Sequence, residues 1–304
     1  MNPQLKALLL KYFPRSNLKR LTWLWNFYVT LASLSARHAF NSASGENRWL
    51  SESDLDRLLS VYPEPRRYAF DPQTLRQRGI ERANEIVNIL PHHHNGMKAL
   101  EIGAQDAHVG LCLIAKGFSC TAIDISDSHF TNEVISAGVD CRLMDVADLK
   151  FADDTFDLAF SYNSFEHFSD PEKALSEIIR VVKPGGYIYL NFGPLFPSPF
   201  GLHAQDSIPV PYSQFLFKRE LMEDYCLKHN RDAIRFDDMN GWSASRFHEL
   251  FARYRPYLKR IRFVERKAAH GLSLIREYPE CFRGKVGTFD DLTAELCEIL
   301  FQVK

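Results

Sequence analysis

Several kinds of site are missing from this sequence of 304 residues. The six cysteines form no Cys-x-x-Cys pair, so no disulfide framework or metal site is expected, and a cytoplasmic location is the default. There is no run of five or six like charges, and the formal net charge is −1. That balance argues against a nucleic-acid partner held through its phosphates. No apolar stretch reaches the roughly 20 residues of a transmembrane helix.

The composition that remains is typical of a globular protein. Hydrophobic residues make up 45% of the chain and charged residues 25%, which allows a sizeable buried core. The length suits one large domain or one domain with an appendage.

The first part of the chain, residues 1–85, reads as helical and predicts an N-terminal extension or lid. Its apolar stretch 21–36 places one set of large side chains on a common helical face. We consider two interpretations: a helix packed on the following domain, or an interfacial helix in peripheral contact with a membrane or a lipid-like substrate. The residues of this face are Leu21, Leu24, Trp25, Tyr28, Leu31 and Ala32. Further along, His92–His94 predict a polar loop.

From Lys98 onward, apolar strands alternate with helical segments. This alternation predicts an α/β fold over residues 86–304, with a Rossmann-like, seven-stranded, mostly parallel sheet and flanking helices. Residues 183–186 predict a turn, and prolines and glycines predict an irregular insertion at about 193–243. The predicted strands are 98–102, 119–125, 140–144, 156–162, 187–192, 257–265 and 295–303.

The first predicted strand runs into Gly103 and then into a helix, and Asp124 ends the next strand about 20 residues later. This is the layout of a nucleotide-binding crevice, because glycine permits a sharp turn and a carboxylate can accept hydrogen bonds from ribose hydroxyls. A turn residue and an ordinary strand-end cap remain the alternatives for these two positions. From Gly103 the sequence reads GAQDAH, which lacks the G-x-G-x-x-G of a dinucleotide loop and disfavours a pyrophosphate cofactor.

Further motifs follow in a fixed order. They are Asp145 after the third strand, the acidic segment 153–157, the segment EHFSDP at 166–171, and RVVKPGG at 180–186. Over 98–192 this order resembles the class I methyltransferases that use S-adenosylmethionine (SAM), above all their bacterial group acting on small molecules.

The resemblance implies SAM as the cofactor. It places Glu101 at the methionine end, Asp124 on the ribose and Asp145 on the adenine amino group. Gln105 and Ala107 stand where the family has glycines, which leaves open a weakened or non-catalytic relative. The cofactor-binding residues it implies are Glu101, Gly103, Ala104, Gln105, Asp124, Ile125, Asp145, Val146, Ser161, Tyr162 and Asn163.

The function expected is methyl transfer to a small-molecule acceptor, at an oxygen or nitrogen of a metabolite, glycan or lipid-like compound. His203 is the first candidate for the catalytic base and His167, with Glu166, the second. Aromatic residues of the loop after the fifth strand either wall an apolar pocket or belong to the core. The alternatives are a non-catalytic SAM-binding interaction protein and a nicotinamide-dependent oxidoreductase, which the GAQDAH loop disfavours.

Overall fold

The computed structural model describes residues 22–62, 70–90 and 95–304. Leu21 of the predicted apolar face and the predicted loop at His92–His94 lie outside these ranges. Within them, no helix combines the length and the apolar composition that crossing a membrane requires.

Seven strands of the described chain form one sheet in the order β3-β2-β1-β4-β5-β7-β6. Only β7 runs antiparallel to its neighbours, and the other adjacent pairs are parallel. The prediction of a Rossmann-like, mostly parallel sheet is therefore confirmed. The strands are β1 Lys98–Ile102, β2 Ser119–Asp124, β3 Asp140–Leu143, β4 Phe156–Tyr162, β5 Val182–Phe192, β6 Leu258–Lys267 and β7 Ala294–Val303.

Several helices begin at a residue whose side chain accepts from a free backbone N–H group. Ser51 and Asp54 form a capping box, and Asp71 and Asp170 cap helices whose first residue is proline. The described helices are α1 Thr22–Ala32, α2 Leu34–Ser42, α3 Glu52–Val61, α4 Pro72–Ile89, α5 His108–Ile114, α6 Asn132–Ser136, α7 Pro171–Val181, α8 Ser213–Leu216, α9 Arg219–Lys228, α10 Ala244–Arg253, α11 Leu272–Glu277, α12 Glu280–Arg283 and α13 Phe289–Thr293.

The turn predicted at 183–186 takes a different form. Strand β5 already begins at Val182, which pairs with Phe156, and the next pair is Leu158 with Tyr187. The residues between them bulge out of the ladder, and Gly185 there has a φ of 83°. The glycines thus allow a bulge within one strand instead of separating it from the helix before it.

Two of the three buried clusters lie against the sheet, and the third lies between the N-terminal helices and the later insertions. In this third cluster, Phe40 and Leu55 from α2 and α3 pack with Tyr212, Phe215 and Phe217. Tyr212, Phe215 and Phe217 therefore belong to the core, whereas Phe200 lies outside the three buried clusters.

Helix α1 docks on β6, the edge strand of the sheet. Its Asn26 side chain donates to the Glu265 carbonyl at 2.7 Å and accepts from the Lys267 N–H at 3.0 Å. The Trp25 indole N–H donates to the Lys267 carbonyl at 2.6 Å. These bonds satisfy backbone groups that an edge strand otherwise leaves open.

The docking splits the apolar face predicted for residues 21–36. Trp25 points to the sheet, whereas Leu24, Tyr28 and Leu31 are exposed. The helix also ends at Ala32, and α2 starts anew at Leu34.

We expect Asn26→Ala to loosen this docking without unfolding the sheet, because it removes two hydrogen bonds worth about 1 kcal/mol each. Hydrogen exchange followed by mass spectrometry should show roughly tenfold or faster exchange in peptides covering α1 and the end of β6. Trp23→Ala, at a side chain that is 67% exposed, is the matched control. Equal protection in Asn26→Ala and the parent chain would contradict the role given to Asn26.

Candidate active site

A cavity of about 320 Å³ opens at the carboxyl ends of β1 to β4. Its volume is in the range of small-molecule sites, about 300–1,000 Å³. Residues of the sequence-based cofactor set in its wall are Gly103, Asp124, Ile125, Asp145 and Val146. His167, the second candidate for the base, also lines it. The parallel topology brings these residues together, because the carboxyl ends of neighbouring strands share one edge of the sheet.

Position 103 requires a glycine, both for its backbone conformation and for the close approach of a neighbouring side chain. Its φ is +64°, and a Cβ atom built there would lie 2.5 Å from the Cβ and Oγ atoms of Ser164. Ser164 also donates a hydrogen bond to the Gly103 carbonyl at 3.0 Å. The floor of the cavity thus depends on a residue without a side chain.

The residues that replace the family's later glycines keep a glycine-like backbone. Gln105 and Ala107 have φ values of 50° and 54°, in the left-handed region that costs other residues about 1–2 kcal/mol. The substitutions therefore preserve the shape of the loop and add strain to it.

Asp124 ties this loop to the end of β2. One carboxylate oxygen accepts from the Gln105 N–H at 2.9 Å and the other from the Ser126 N–H at 3.1 Å. The next side chain, Ile125, is 79% exposed and forms part of the cavity wall. On the neighbouring strand end, Asp145 accepts from the Ala147 N–H at 2.8 Å.

The remaining members of the cofactor set are not in the cavity wall: Glu101, Ala104, Gln105, Ser161, Tyr162 and Asn163. Their roles toward a cofactor stay predictions. Glu101 is buried and accepts from the Gly110 N–H of α5 at 2.8 Å, so it ties β1 to the helix that follows. Tyr162 donates to the Arg82 carbonyl at 3.2 Å. Ser161 is buried, and its hydroxyl has no hydrogen-bond partner.

Some residues of the cavity wall were not among the site residues predicted from the sequence. Ser164, Phe168 and Ser169 line it from the segment after β4. The EHFSDP motif marked this segment, although it served only to establish the order of motifs. Met144 comes from the end of β3, and no motif distinguishes it.

The two histidines proposed as bases converge with Glu166. Each of the three side chains offers a ligand atom within 4.8 Å of the others, and the imidazole centroids lie 5.0 Å apart. One oxygen of the buried Glu166 carboxyl accepts from the Gly193 N–H at 2.8 Å, and the other has no hydrogen-bond partner among the described residues. Carboxyl and imidazole groups at this spacing can exchange protons, and they are also the ligand types of divalent cations.

Hydrogen bonds to backbone carbonyls orient both imidazoles. Nδ1 of His167 lies 2.7 Å from the Asp238 carbonyl oxygen, and Nε2 of His203 lies 3.3 Å from that of Pro194. Because a carbonyl only accepts, these nitrogens carry the protons, and Nδ1 of His203 is left with its lone pair. Burial, with the nearby His167, lowers the pKa of His203 to about 4. His203 is therefore neutral at pH 7, and the same burial makes it a weaker base than an ordinary imidazole.

Burial raises the pKa of Glu166 above its ordinary value, an effect that His167 partly offsets. The segment after β4 and the loop after β5 supply the members of this cluster. It lies beside the cavity, since His167 belongs to both.

Comparison with known proteins identifies the domain. Residues 100–190 match the family model of a methyltransferase domain, a range that runs from within β1 to within β5 and contains the cavity-lining loops. This part of the chain is a methyltransferase domain. A curated relative from Mycolicibacterium paratuberculosis, described as an uncharacterized methyltransferase, is 30% identical over 117 residues. That alignment covers 34% of this chain and 44% of the relative, so the chain spans less than half of the relative's length.

The chain also has distant similarity to solved structures. A SAM-dependent methyltransferase of Thermotoga maritima, described as a possible histamine N-methyltransferase, is 14% identical with a TM-score of 0.44, covering 76% of this chain and 92% of its own. The PH0226 protein of Pyrococcus horikoshii OT3 is 16% identical with a TM-score of 0.47, covering 83% and 99%. Both likenesses are too distant to bear on the substrate of this methyltransferase domain.

The buried Glu101 should make the stability of the domain depend on pH. Burial raises the pKa of Glu101 from 4.5 to about 8, so the folded state holds this proton more tightly than the unfolded chain. The resulting stability is complete below pH 4.5 and is lost as the pH rises through 8, at up to about 1.4 kcal/mol per pH unit. We expect Glu101→Gln, which cannot titrate, to flatten this part of the profile.

The measurement is the free energy of unfolding in urea at several pH values across that window. Glu220→Gln, at an exposed carboxyl group on α9, should keep the slope of the parent chain. An unchanged slope in Glu101→Gln would show that Glu101 does not hold the proton.

Proposed function

We propose that this protein transfers a methyl group from SAM to a small-molecule acceptor bound beside the cavity. The observation that carries the proposal is the single edge of the sheet at which Asp124, Asp145 and the imidazole cluster meet. SAM supplies a methyl group on a positively charged sulfur, so its carbon is already activated. The protein has to position the acceptor, exclude water and remove a proton where the acceptor is a hydroxyl or an ammonium group.

The residues of the cavity fit SAM. Each oxygen of Asp124 accepts one backbone N–H and keeps further acceptor capacity for ribose hydroxyls. The exposed Ile125 side chain beside it offers an apolar surface to a flat adenine ring. The bare backbone at Gly103 leaves room that any side chain would fill.

We expect Asp124→Asn to weaken binding of SAM and S-adenosylhomocysteine about tenfold to a hundredfold, because an amide forms weaker hydrogen bonds than a carboxylate. Asp145→Asn should act in the same direction. Isothermal titration calorimetry measures both. Asp148→Asn, at an exposed carboxylate paired only with Lys150 in the described ion pairs, is the control.

The same titrations separate the competing functions. Binding of NADH in place of SAM would favour an oxidoreductase. Unchanged SAM affinity in both Asp124→Asn and Asp145→Asn would contradict the assigned site. Tight SAM binding without turnover on any acceptor would favour a non-catalytic SAM-binding protein.

For the proton transfer, we propose His203 as the base, with His167 in second place. His203 belongs to the cluster that adjoins the cavity, and its imidazole is neutral at pH 7. Because the bonded carbonyl of Pro194 holds the opposite nitrogen, proton uptake at Nδ1 would give a cation that this carbonyl stabilises. The Glu166 carboxyl group is close enough to share the charge.

His203→Ala should lower kcat about 10²- to 10⁴-fold on an acceptor that must lose a proton, while SAM affinity stays within about twofold. Release of S-adenosylhomocysteine, screened over hydroxyl and amine compounds, identifies the acceptor and then gives kcat. His248→Ala, at the half-exposed histidine paired with Glu265, is the control. If His203→Ala leaves kcat unchanged at saturating acceptor, we expect the loss of kcat in His167→Ala instead. If kcat is unchanged in both variants, neither histidine is the base.

The acceptor class that we propose is a metabolite, glycan or lipid-like compound, with helix α1 in peripheral contact with a membrane. The near-neutral net charge gives no support to a nucleic-acid acceptor. All six cysteines are free, which fits a reducing, cytoplasmic compartment.

A further inference from the structure

Two histidines and a glutamate come together beside the cavity. We call Glu166, His167 and His203 the carboxylate–imidazole cluster, in which each side chain offers a ligand atom within 4.8 Å of those of the other two. Glu166 is buried and both histidines are half-buried. Over the described ranges, 22–62, 70–90 and 95–304, no other group of three or more His, Cys, Asp or Glu side chains meets this spacing. Two nitrogen donors and one oxygen donor are the donor set of a metal site with open positions.

The carboxyl group of Glu166 is buried with acceptor capacity to spare. The residue is 1% exposed. Its Oε1 accepts from the Gly193 N–H at 2.8 Å, and Oε2 has no hydrogen-bond partner among the described residues. A buried carboxylate is costly unless it is paired or coordinates a metal. A cation bound by the cluster would supply the missing partner and offset this cost.

Each imidazole keeps one nitrogen for a metal ion. Nδ1 of His167 donates to the Asp238 carbonyl at 2.7 Å, and Nε2 of His203 donates to the Pro194 carbonyl at 3.3 Å. The other nitrogen of each neutral ring therefore carries a lone pair. Metal-binding histidines almost always donate their second ring N–H to a carbonyl, a carboxylate or water, which fixes the tautomer and the ring orientation. Both histidines of the cluster have this arrangement.

Backbone contacts hold the cluster in place. The Asn240 N–H donates to the Glu166 carbonyl at 3.0 Å, and the Asn240 side-chain amide donates to the Phe165 carbonyl at 3.0 Å. The residues around Asn240 therefore fix the part of the cluster that follows β4. His203 has a φ of 56°, a left-handed angle that is unfavourable for a residue with a side chain. Such strain is concentrated at functional sites.

We propose that the carboxylate–imidazole cluster binds a divalent transition-metal ion, and that Zn²⁺ is the ion its donors suit best. Imidazole favours Zn²⁺ and similar ions, whereas Mg²⁺ and Ca²⁺ prefer sites made of oxygen atoms. Three protein ligands leave a coordination position open, as in catalytic zinc sites. Because His167 also lines the cavity, the ion lies next to it.

The metal site narrows the acceptor class if the proposed methyl transfer holds. A hydroxyl oxygen that enters the open position loses its proton to water more readily, because the cation lowers the pKa of the bound group. That oxygen then attacks the methyl carbon, the carbon–sulfur bond breaks, and S-adenosylhomocysteine leaves with the electron pair. In the metal-bound protein the lone pair of His203 holds the ion, so its role as the base belongs to the metal-free protein. The acceptor class is then compounds with a hydroxyl group that can bind the ion.

Calorimetric titration of the chelator-treated full chain with ZnCl₂, without SAM, tests the site. We expect one ion per chain with a Kd below about 10 µM, and binding of Mg²⁺ at least about a hundredfold weaker. Weaker binding of Zn²⁺ than this, or equal affinity for Mg²⁺, would overturn the proposal.

Variants then locate the ion. Glu166→Gln and His203→Ala should each weaken Zn²⁺ binding at least about tenfold, because the loss of even an indirect contact to a metal ligand costs that much. His248→Ala is the matched control, since this histidine also lies 3.1 Å from a carboxylate, that of Glu265. Alanine at all three of the adjacent histidines 92–94 is the second control. Undiminished binding in Glu166→Gln and His203→Ala, or a loss of binding in either control, would overturn the assigned site.

Two further measurements distinguish the failures. Circular dichroism during thermal unfolding shows whether each variant is folded, and Zn²⁺ should raise the Tm of the parent chain and of His248→Ala but not that of His203→Ala. This comparison remains decisive if Glu166→Gln does not fold. SAM titration of metal-free samples reports separately on the proposed function. SAM binding without Zn²⁺ binding would overturn the metal site alone, and Zn²⁺ binding without SAM binding would overturn the proposed function alone.

Discussion

The site depends on one carboxylate that holds two strand ends together. Asp124 closes β2, and its two oxygens accept N–H groups from its own turn and from the loop that follows β1. Because the residues of that loop have left-handed backbone angles at Gly103, Gln105 and Ala107, the loop needs an anchor of this strength. Charge-assisted bonds supply it, and the cavity opens between the strand ends that they fix.

Parts of the fold could be predicted from the sequence and others could not. A run such as FDLAFSY at 156–162 contains its own structural information, and strand β4 spans the residues predicted for it. The bulge at 183–186 could not be foreseen, because a Pro-Gly-Gly segment fits a turn and a bulge equally well. Only the pairing of Val182 with Phe156 distinguishes them.

For the candidate site, the order of the motifs predicted which residues lie at the strand ends. It did not predict where their individual side chains point. Asp124 and Asp145 face the cavity because carboxyl ends of parallel strands share an edge. Glu101 comes two residues before Gly103, but its side chain accepts from the Gly110 N–H of α5 and is not part of the cavity wall. The proximity of His167 to His203 depends on the path of an irregular loop, which no periodicity encodes.

That loop has a further property. Leu202 and Ala204, on either side of His203, are buried in the same cluster as Phe40 and Leu55 of the N-terminal helices. The imidazole is thus positioned by a core to which distant parts of the chain contribute. The position of His203 therefore depends on α2 and α3 as well as on its own loop.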